Sequence, residues 1–244
     1  MNGNRPESDD LVLQEINFSL PAGRILGVLG RTGSGKTTLT RLLFRLYDVD
    51  SGTISLDETD VRNVRLSTLR SHIGMVTQDV QLFAASVRDN LTLFRNYNPS
   101  AKQVNDAEIT AVLQTLGLGD WLASLPDGLD TVLAAGGKGL SAGQAQLLAF
   151  ARVAARDPKM LILDEATASV DSATEQRVQD AIERLFAGRS VIVVAHRLST
   201  VRAADEILVL DAGQIAERGT HDELVAQGGI YADLVQSGFG NEDA

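Results

Sequence analysis

Apolar residues recur along this chain in patterns that predict different elements. Short, nearly unbroken apolar runs occur at Arg24–Leu29, Ile73–Thr77, Met160–Leu163 and Val191–Ala195. Runs of this length fit strands buried on both faces of a sheet. Leu11–Leu13 and Ile16–Leu20 read as two more short strands, the second alternating apolar with polar, and Thr53–Leu56 as another. Ile207–Leu210 and Gln214–Glu217 flank Asp211-Ala212-Gly213, which predicts a hairpin. Pro21-Ala22-Gly23 and Asp50-Ser51-Gly52 read as turns.

Helical spacing is different. Leu39, Leu42, Leu43 and Leu46 fall at i, i+3, i+4 and i+7, one apolar face of a helix. Leu66–Arg70 predicts a short helix. Val178, Ile182, Leu185 and Phe186 mark the buried face of another, which Ser172 and Glu175 introduce with capping-box spacing. Ser141 and Gln144 have the same spacing at the start of a long helix. Thr220 and Glu223 have it before a last helix and a polar tail. From about residue 84 to 139 the strand signals stop. Helical segments at Val87–Phe94, Asn105–Leu116 and Trp121–Leu125 predict an insertion in an α/β core, with Trp121 packed between its helices.

Composition narrows this picture. A chain of 244 residues that is 44% apolar holds one large domain, or a domain with a subdomain. A net charge of −10 disfavours a nucleic-acid surface, which needs a basic stripe. Without cysteine, neither disulfides nor thiol chemistry hold or drive the protein. No apolar run approaches the roughly 18 residues that span a bilayer. Met1–Asp10 is polar, is expected to fray, and lacks the apolar core of a signal peptide. The chain as given is expected to be soluble.

The chemistry centres on Gly30-Arg31-Thr32-Gly33-Ser34-Gly35-Lys36-Thr37, which matches the phosphate-binding loop G-x-x-x-x-G-K-[ST] at every fixed position. The glycines let the backbone curl so that N–H groups converge on phosphate oxygens. Lys36 reaches the β- and γ-phosphates, and the Thr37 hydroxyl is placed to bind Mg²⁺. With Thr38, the next residue of the helix, these form the expected nucleotide-binding set. The plainer alternative, a ligand-free glycine turn between strand and helix, fits the spacing and context less well. Asp164 and Glu165 end the Met160–Leu163 run. Adjacent carboxylates at the end of a buried strand are costly without cationic or proton-transfer work. Asp164 fits the acid that holds Mg²⁺ through its water shell, and Glu165 the group that orients the attacking water. Gln78 and His196 close two further predicted strands. Ser141 with small neighbours at a helix N-terminus suits a phosphate as well as a cap, and five residues alone do not decide between these.

In this order, Gly30–Thr37, Gln78, Leu140–Gln144, Met160–Glu165, Ser169–Asp171 and His196 resemble the nucleotide-binding domain of ATP-binding-cassette (ABC) transporters, over Leu11 to about Leu234. Gln81-Leu82-Phe83, Asp89-Asn90-Leu91 and Ala195–Thr200 resemble the exporter branch. The resemblance implies an α/β fold. It has a RecA-like P-loop NTPase core with an N-terminal antiparallel β-subdomain (about 11–83 and 156–237) and an inserted helical subdomain (about 84–155). Polar tails lie at 1–10 and 238–244. It implies ATP and Mg²⁺ as ligands and ATP hydrolysis coupled to transport. It implies two such domains head to tail, each ATP held between one phosphate loop and the signature Ser141, Ala142, Gly143 and Gln144 of the other. Gln78 would contact Mg²⁺ or the attacking water, His196 the γ-phosphate, and Asp171 the dimer interface. A transmembrane domain, absent from this chain, would hold it at the cytoplasmic face of a membrane, a bacterial inner membrane by preference. The partner domain would be the same or a related chain.

Three departures from the family stand out. Ala142 replaces a glycine. Ala135 lies near the place of a glutamate that exporters carry. The aromatic that stacks on adenine, upstream of the Leu11 strand in the family, has no counterpart, Phe18 being the first aromatic. The last points to a chain that begins inside the domain, as an excised or truncated one does. A non-transport ABC-type ATPase acting as a mechanical switch is the alternative, but no coiled-coil or basic insert supports it. Glu165 and His196 argue against a module that only binds nucleotide.

Overall fold

The computed structural model describes residues 11–77, 80–95, 103–164, 172–194 and 201–237. In chain order the elements are β1 (Ile25–Gly30), α1 (Lys36–Leu43), β2 (Ser55–Leu56), β3 (Thr59–Asp60), α2 (Leu66–His72), β4 (Ile73–Val76), α3 (Val87–Thr92), α4 (Asp106–Thr115), α5 (Gly119–Ser124), α6 (Ala142–Ala154), β5 (Met160–Asp164), α7 (Ser172–Phe186), β6 (Ser190–Val194), β7 (Glu206–Asp211), β8 (Gln214–Gly219), α8 (His221–Gln227) and α9 (Ile230–Gln236). The main sheet has the order β4-β5-β6-β1-β7-β8. The mixed α/β architecture expected from the apolar runs is present.

Two compact units divide the chain. The first comprises Met1–Leu69, Ile162–Asp164 and Ser190–Ala244. Its centre is β1, which pairs in parallel with β6 (Ile25↔Val191 to Val28↔Val194) and with β7 (Leu26↔Glu206 to Gly30↔Leu210). Leu26, Val28, Val191, Ile192, Leu208 and Val209 are fully buried, and each such aliphatic side chain contributes about 1.5–3 kcal/mol by leaving water. The predicted hairpin forms: β7 and β8 are antiparallel around Ala212-Gly213, both at positive φ, the twist a two-residue hairpin turn needs. Asp205 clamps the start of this layer. Its carboxylate accepts from Ile25 N (2.7 Å) and pairs with Arg24, while its own N–H donates to Ile25 O (2.9 Å).

Three expectations need correction in this unit. No strand lies between residues 11 and 20. Glu15 sits at φ 51 between the two predicted strands and breaks the extended run. The segment meets the β7–β8 turn through a main-chain bond, Gln14 N to Gly213 O (2.9 Å), but forms no ladder, which requires a repeating series. The antiparallel β element is instead the hairpin β2–β3, turned at Asp57 and Glu58, both in the left-handed region. The second correction concerns α1, which ends at Leu43, leaving Leu46 47% exposed. Arg45 takes φ 51, and Leu46 N donates back to Arg41 O (2.8 Å), a left-handed helix stop. A non-glycine residue tolerates that position because its guanidinium bonds Val61 O (2.7 Å) and Val64 O (2.8 Å). Third, the single last helix is two. Gly228 (φ 66) stops α8, and the Glu217 carboxylate caps α9 by accepting from Ile230 N (2.5 Å) and Tyr231 N (2.9 Å).

The second unit, Arg70–Leu161 and Glu165–Arg189, is mostly helical. Ile109, Leu113, Leu148, Phe150, Val178 and Ile182 form its core. Trp121 is half-buried on α5 rather than enclosed. Asn90, 1% exposed, accepts from Phe83 N (2.9 Å) and donates to Phe83 O (3.0 Å), gathering the loop 83–86 onto α3. Arg152 of α6 donates to Asn90 O (2.9 Å) and Gln81 O (3.0 Å). Burial pushes its guanidinium pKa down. Arg88 joins α3 to Asp106 and Asp130, two carboxylates that hold its pKa up.

Candidate phosphate- and metal-binding site

The sheet delivers the site. β1 ends at Gly30, and the next five residues curl before α1 begins at Lys36. Gly30 takes φ +151, and a Cβ there would overlap Leu210 O and come within 2.6 Å of Ser34 Oγ. Gly33 (φ +85) and Gly35 (φ +102) are in the left-handed region that favours glycine. A Cβ on Gly35 would run into the Leu13 side chain, so the loop is closed in on that flank too. The curl leaves the first N–H groups of α1 without intrahelical acceptors and directed out of the helix end.

Lys36 lies across this loop. It is 6% exposed, and its Nζ donates to Gly30 O (2.7 Å) and Arg31 O (3.0 Å). Those two bonds fix an ammonium beside the converging N–H groups, where anion charge is favoured. Ser34 Oγ is buried without a hydrogen-bond partner, an orphaned polar atom in the wall of the loop. Arg31, Thr32, Gly33 and Thr37 are exposed, and Thr38 is half-buried. The loop thus offers a cradle shaped for an anion, with one cation already oriented.

Asp164 ends β5, 9% exposed. Its Oδ2 is 3.0 Å from Oγ1 of Thr40, which is wholly buried on α1 and also lies 2.9 Å from Thr37 O. One hydroxyl therefore ties the carboxylate to the turn of α1 that carries Thr37. The donor set fits a hard cation: an exposed hydroxyl on Thr37 and a carboxylate referenced to the same helix. Among the described residues no three His, Cys, Asp or Glu side chains form a metal cage. Mg²⁺ would share one carboxylate with phosphate oxygens and water, the coordination it favours. Thr40 is the residue the sequence reading missed. Its only signal is a threonine three residues past Thr37, and its partner lies far along the chain.

The signature segment belongs to the second unit. Ser141 is the N-cap of α6: its Oγ accepts from Gln144 N (3.1 Å), and Gln144 Oε1 accepts from Ser141 N (2.9 Å). With Ser141 Oγ acting as acceptor, its O–H stays available to donate. Ala142 is exposed and Gly143 buried, and the N–H groups of both precede the first intrahelical bond. The Gly136-Gly137 turn ahead of it is at positive φ, and Ala135 is exposed. Gln78, Glu165, Asp171 and His196 lie outside the described residues, as does the cap expected of Ser172 and Glu175.

Known proteins resemble this chain in sequence and in fold. Residues 13–168 match the family model of the ABC transporter. The chain is 44% identical over 227 residues to an uncharacterised ABC transporter ATP-binding protein, YknV, of Bacillus subtilis (strain 168), covering 93% of this chain and 37% of that protein. It is 43% identical over 228 residues to the ATP-dependent lipid A-core flippase of Vibrio cholerae serotype O1, covering 93% and 38%. A bacterial Atm1-family ABC exporter solved with ATP bound superposes with a TM-score of 0.84 at 36% identity, covering 98% of this chain and 40% of that one. The chain spans 37% to 40% of the length of these three proteins.

Proposed function

The chain belongs to the ABC transporter family, and we propose that it is the ATP-hydrolysing domain of an exporter, using nucleotide-driven pairing of two such domains to move a substrate across a membrane. The observation that carries the reading is Lys36 held across the glycine loop while Thr40 joins Asp164 to the same helix. Likeness to a lipid A-core flippase and to an Atm1-family exporter supports the exporter branch. No helix among the described residues is long and apolar enough to cross a membrane, so the substrate path would belong to a transmembrane domain outside this chain. The core would comprise about 11–83 and 156–237, and the helical subdomain about 84–155.

In this reading the loop N–H groups and Lys36 bind the triphosphate. Thr37 and Asp164 would hold Mg²⁺, which when bound neutralises charge on the phosphate oxygens. Glu165 would orient the attacking water, Gln78 would contact Mg²⁺ or that water, and His196 would contact the γ-phosphate. Catalysis is then positioning plus electrostatics, as in phosphoryl transfer generally. The second domain contributes the Ser141 hydroxyl and the N–H groups of Ala142 and Gly143. Asp171 would lie at the interface between the two domains.

The test is Glu165→Gln. Nucleotide binding should survive while turnover falls by about 10²–10⁴-fold, the cost of losing a base or water-orienting group. Turnover equal to the wild type would sink the assignment. Binding lost together with turnover would point to misfolding of the site instead.

A further inference from the structure

We propose that Thr40 is a positioning residue for Asp164: its buried hydroxyl holds Oδ2, so that the phosphate-loop helix sets where the carboxylate stands. The proposal rests on the reading of Asp164 as the acid of the Mg²⁺ site. Thr40 is wholly buried and would act on the site through Asp164.

The hydroxyl has one proton and two acceptors in reach, Thr37 O at 2.9 Å and Asp164 Oδ2 at 3.0 Å. A threonine inside a helix commonly gives its proton to a carbonyl one turn back. Here a carboxylate competes. Hydrogen bonds to ionised acceptors are roughly twice as strong as neutral ones, so Oδ2 takes the larger share. Thr40 is fully buried and Asp164 nearly so. Water therefore has little access from the Thr40 side to replace the bond.

Geometry explains why this residue sets position and does more than fill space. Its β-branched side chain is stiff at χ1, and its backbone sits one turn after Thr37 on α1. Asp164 stands at the last position of β5, where the strand ladder ends. The Thr40 bond fixes that terminal carboxylate relative to Thr37 and leaves Oδ1 for the water shell of the metal. Without it, the two oxygen donors of the metal site would be referenced to different elements.

The experiment uses the full 244-residue chain and a fluorescent ATP analogue. Affinity is titrated in EDTA and then across a Mg²⁺ series, for wild type, Thr40→Val, Thr40→Ala and Thr40→Ser. Thermal melts are recorded for each. Loss of a partner that orients a metal ligand costs about 10–100-fold in metal affinity. Because Asp164 acts through water, the Mg²⁺ midpoint of Thr40→Val should rise about tenfold, at the lower end of that range. Affinity in EDTA should match the wild type, and Thr40→Ser should restore the midpoint. Valine keeps the volume, so a folded Thr40→Val reads the hydroxyl, while Thr40→Ala also removes the buried methyl and reports the cost of packing. A lowered melting temperature with an unchanged Mg²⁺ midpoint in both would overturn the proposal, since Thr40 would then only pack. A wild-type chain with no Mg²⁺ effect at all would overturn the proposed function and this inference together.

Discussion

Lys36 is a buried cation whose Nζ donates to two carbonyls of its own loop, Gly30 O and Arg31 O. That arrangement stiffens the ammonium before any phosphate arrives, which lowers the ordering cost of binding. Replacing it with alanine should therefore weaken ground-state nucleotide binding, not only turnover. A hydrogen bond to a charged group is worth about 1.5–3 kcal/mol, or roughly a 10–100-fold loss in affinity. Equal affinities in a calorimetric titration of the two proteins would refute the loop assignment. Residues of this kind were legible in the sequence because their spacing is local. The loop needs glycine at 33 for its φ and at 30 and 35 for both φ and the lack of room for a Cβ, and the Asp164-Glu165 pair betrays itself by following a run of buried apolar residues. Thr40 was illegible for the opposite reason. Its meaning lies in one long-range bond to Asp164, which no periodicity encodes.

At the scale of elements, the strands of the main sheet were readable, its edges β4 and β8 included, and the segment ahead of β1 was not. β1, β6 and β7 carry continuous apolar runs because they lie side by side within the sheet with successive side chains buried. The segment from 11 to 20 has a strand-like composition, yet the left-handed Glu15 interrupts its extended run and it joins no ladder. The apolar period through Leu46 overran α1 because Arg45 ends that helix with bonds to distant carbonyls, information absent from a hydrophobic pattern. Capping boxes fared better, Ser141–Gln144 and Thr220–Glu223 both forming as spaced. Asp205 offers a pH test of the β1–β7 start. The Ile25 N–H foremost, and the Arg24 guanidinium, hold its carboxyl below the usual carboxylate range against desolvation. A depressed folded-state pKa gives stability that is present above the unfolded value and lost as pH falls through the folded one. Asp205→Asn should thus lower thermal stability near neutrality, by about 1 kcal/mol or less for a partly exposed pair. The gap to wild type should close as pH falls below the ordinary aspartate value of about 3.9 and through the lowered folded-state pKa. A gap independent of pH would assign the effect to shape and not charge.

For the molecule as a whole, the proposed function divides one chemical site between two copies of the domain. A phosphate loop without a signature opposite it, or a signature without a loop, is half a site. The chain should therefore sediment as a monomer without nucleotide, and Glu165→Gln should pair when Mg-ATP is bound and cannot be cleaved. A monomer that persists in Glu165→Gln with saturating Mg-ATP would mean that its partner is a different chain, or that the membrane domain must hold the two together. The net charge of −10 makes the same demand, since like-charged copies repel at long range and salt should ease their approach. The capped end of α6, with its serine hydroxyl and two N–H groups left for an outside acceptor, carries this over into kinetics. If those donors complete the site of another copy, hydrolysis in dilute solution is second order in protein. Activity per chain would then climb with protein concentration and level off only once pairing is complete, so a rate measured at one dilution would describe the dilution as much as the enzyme.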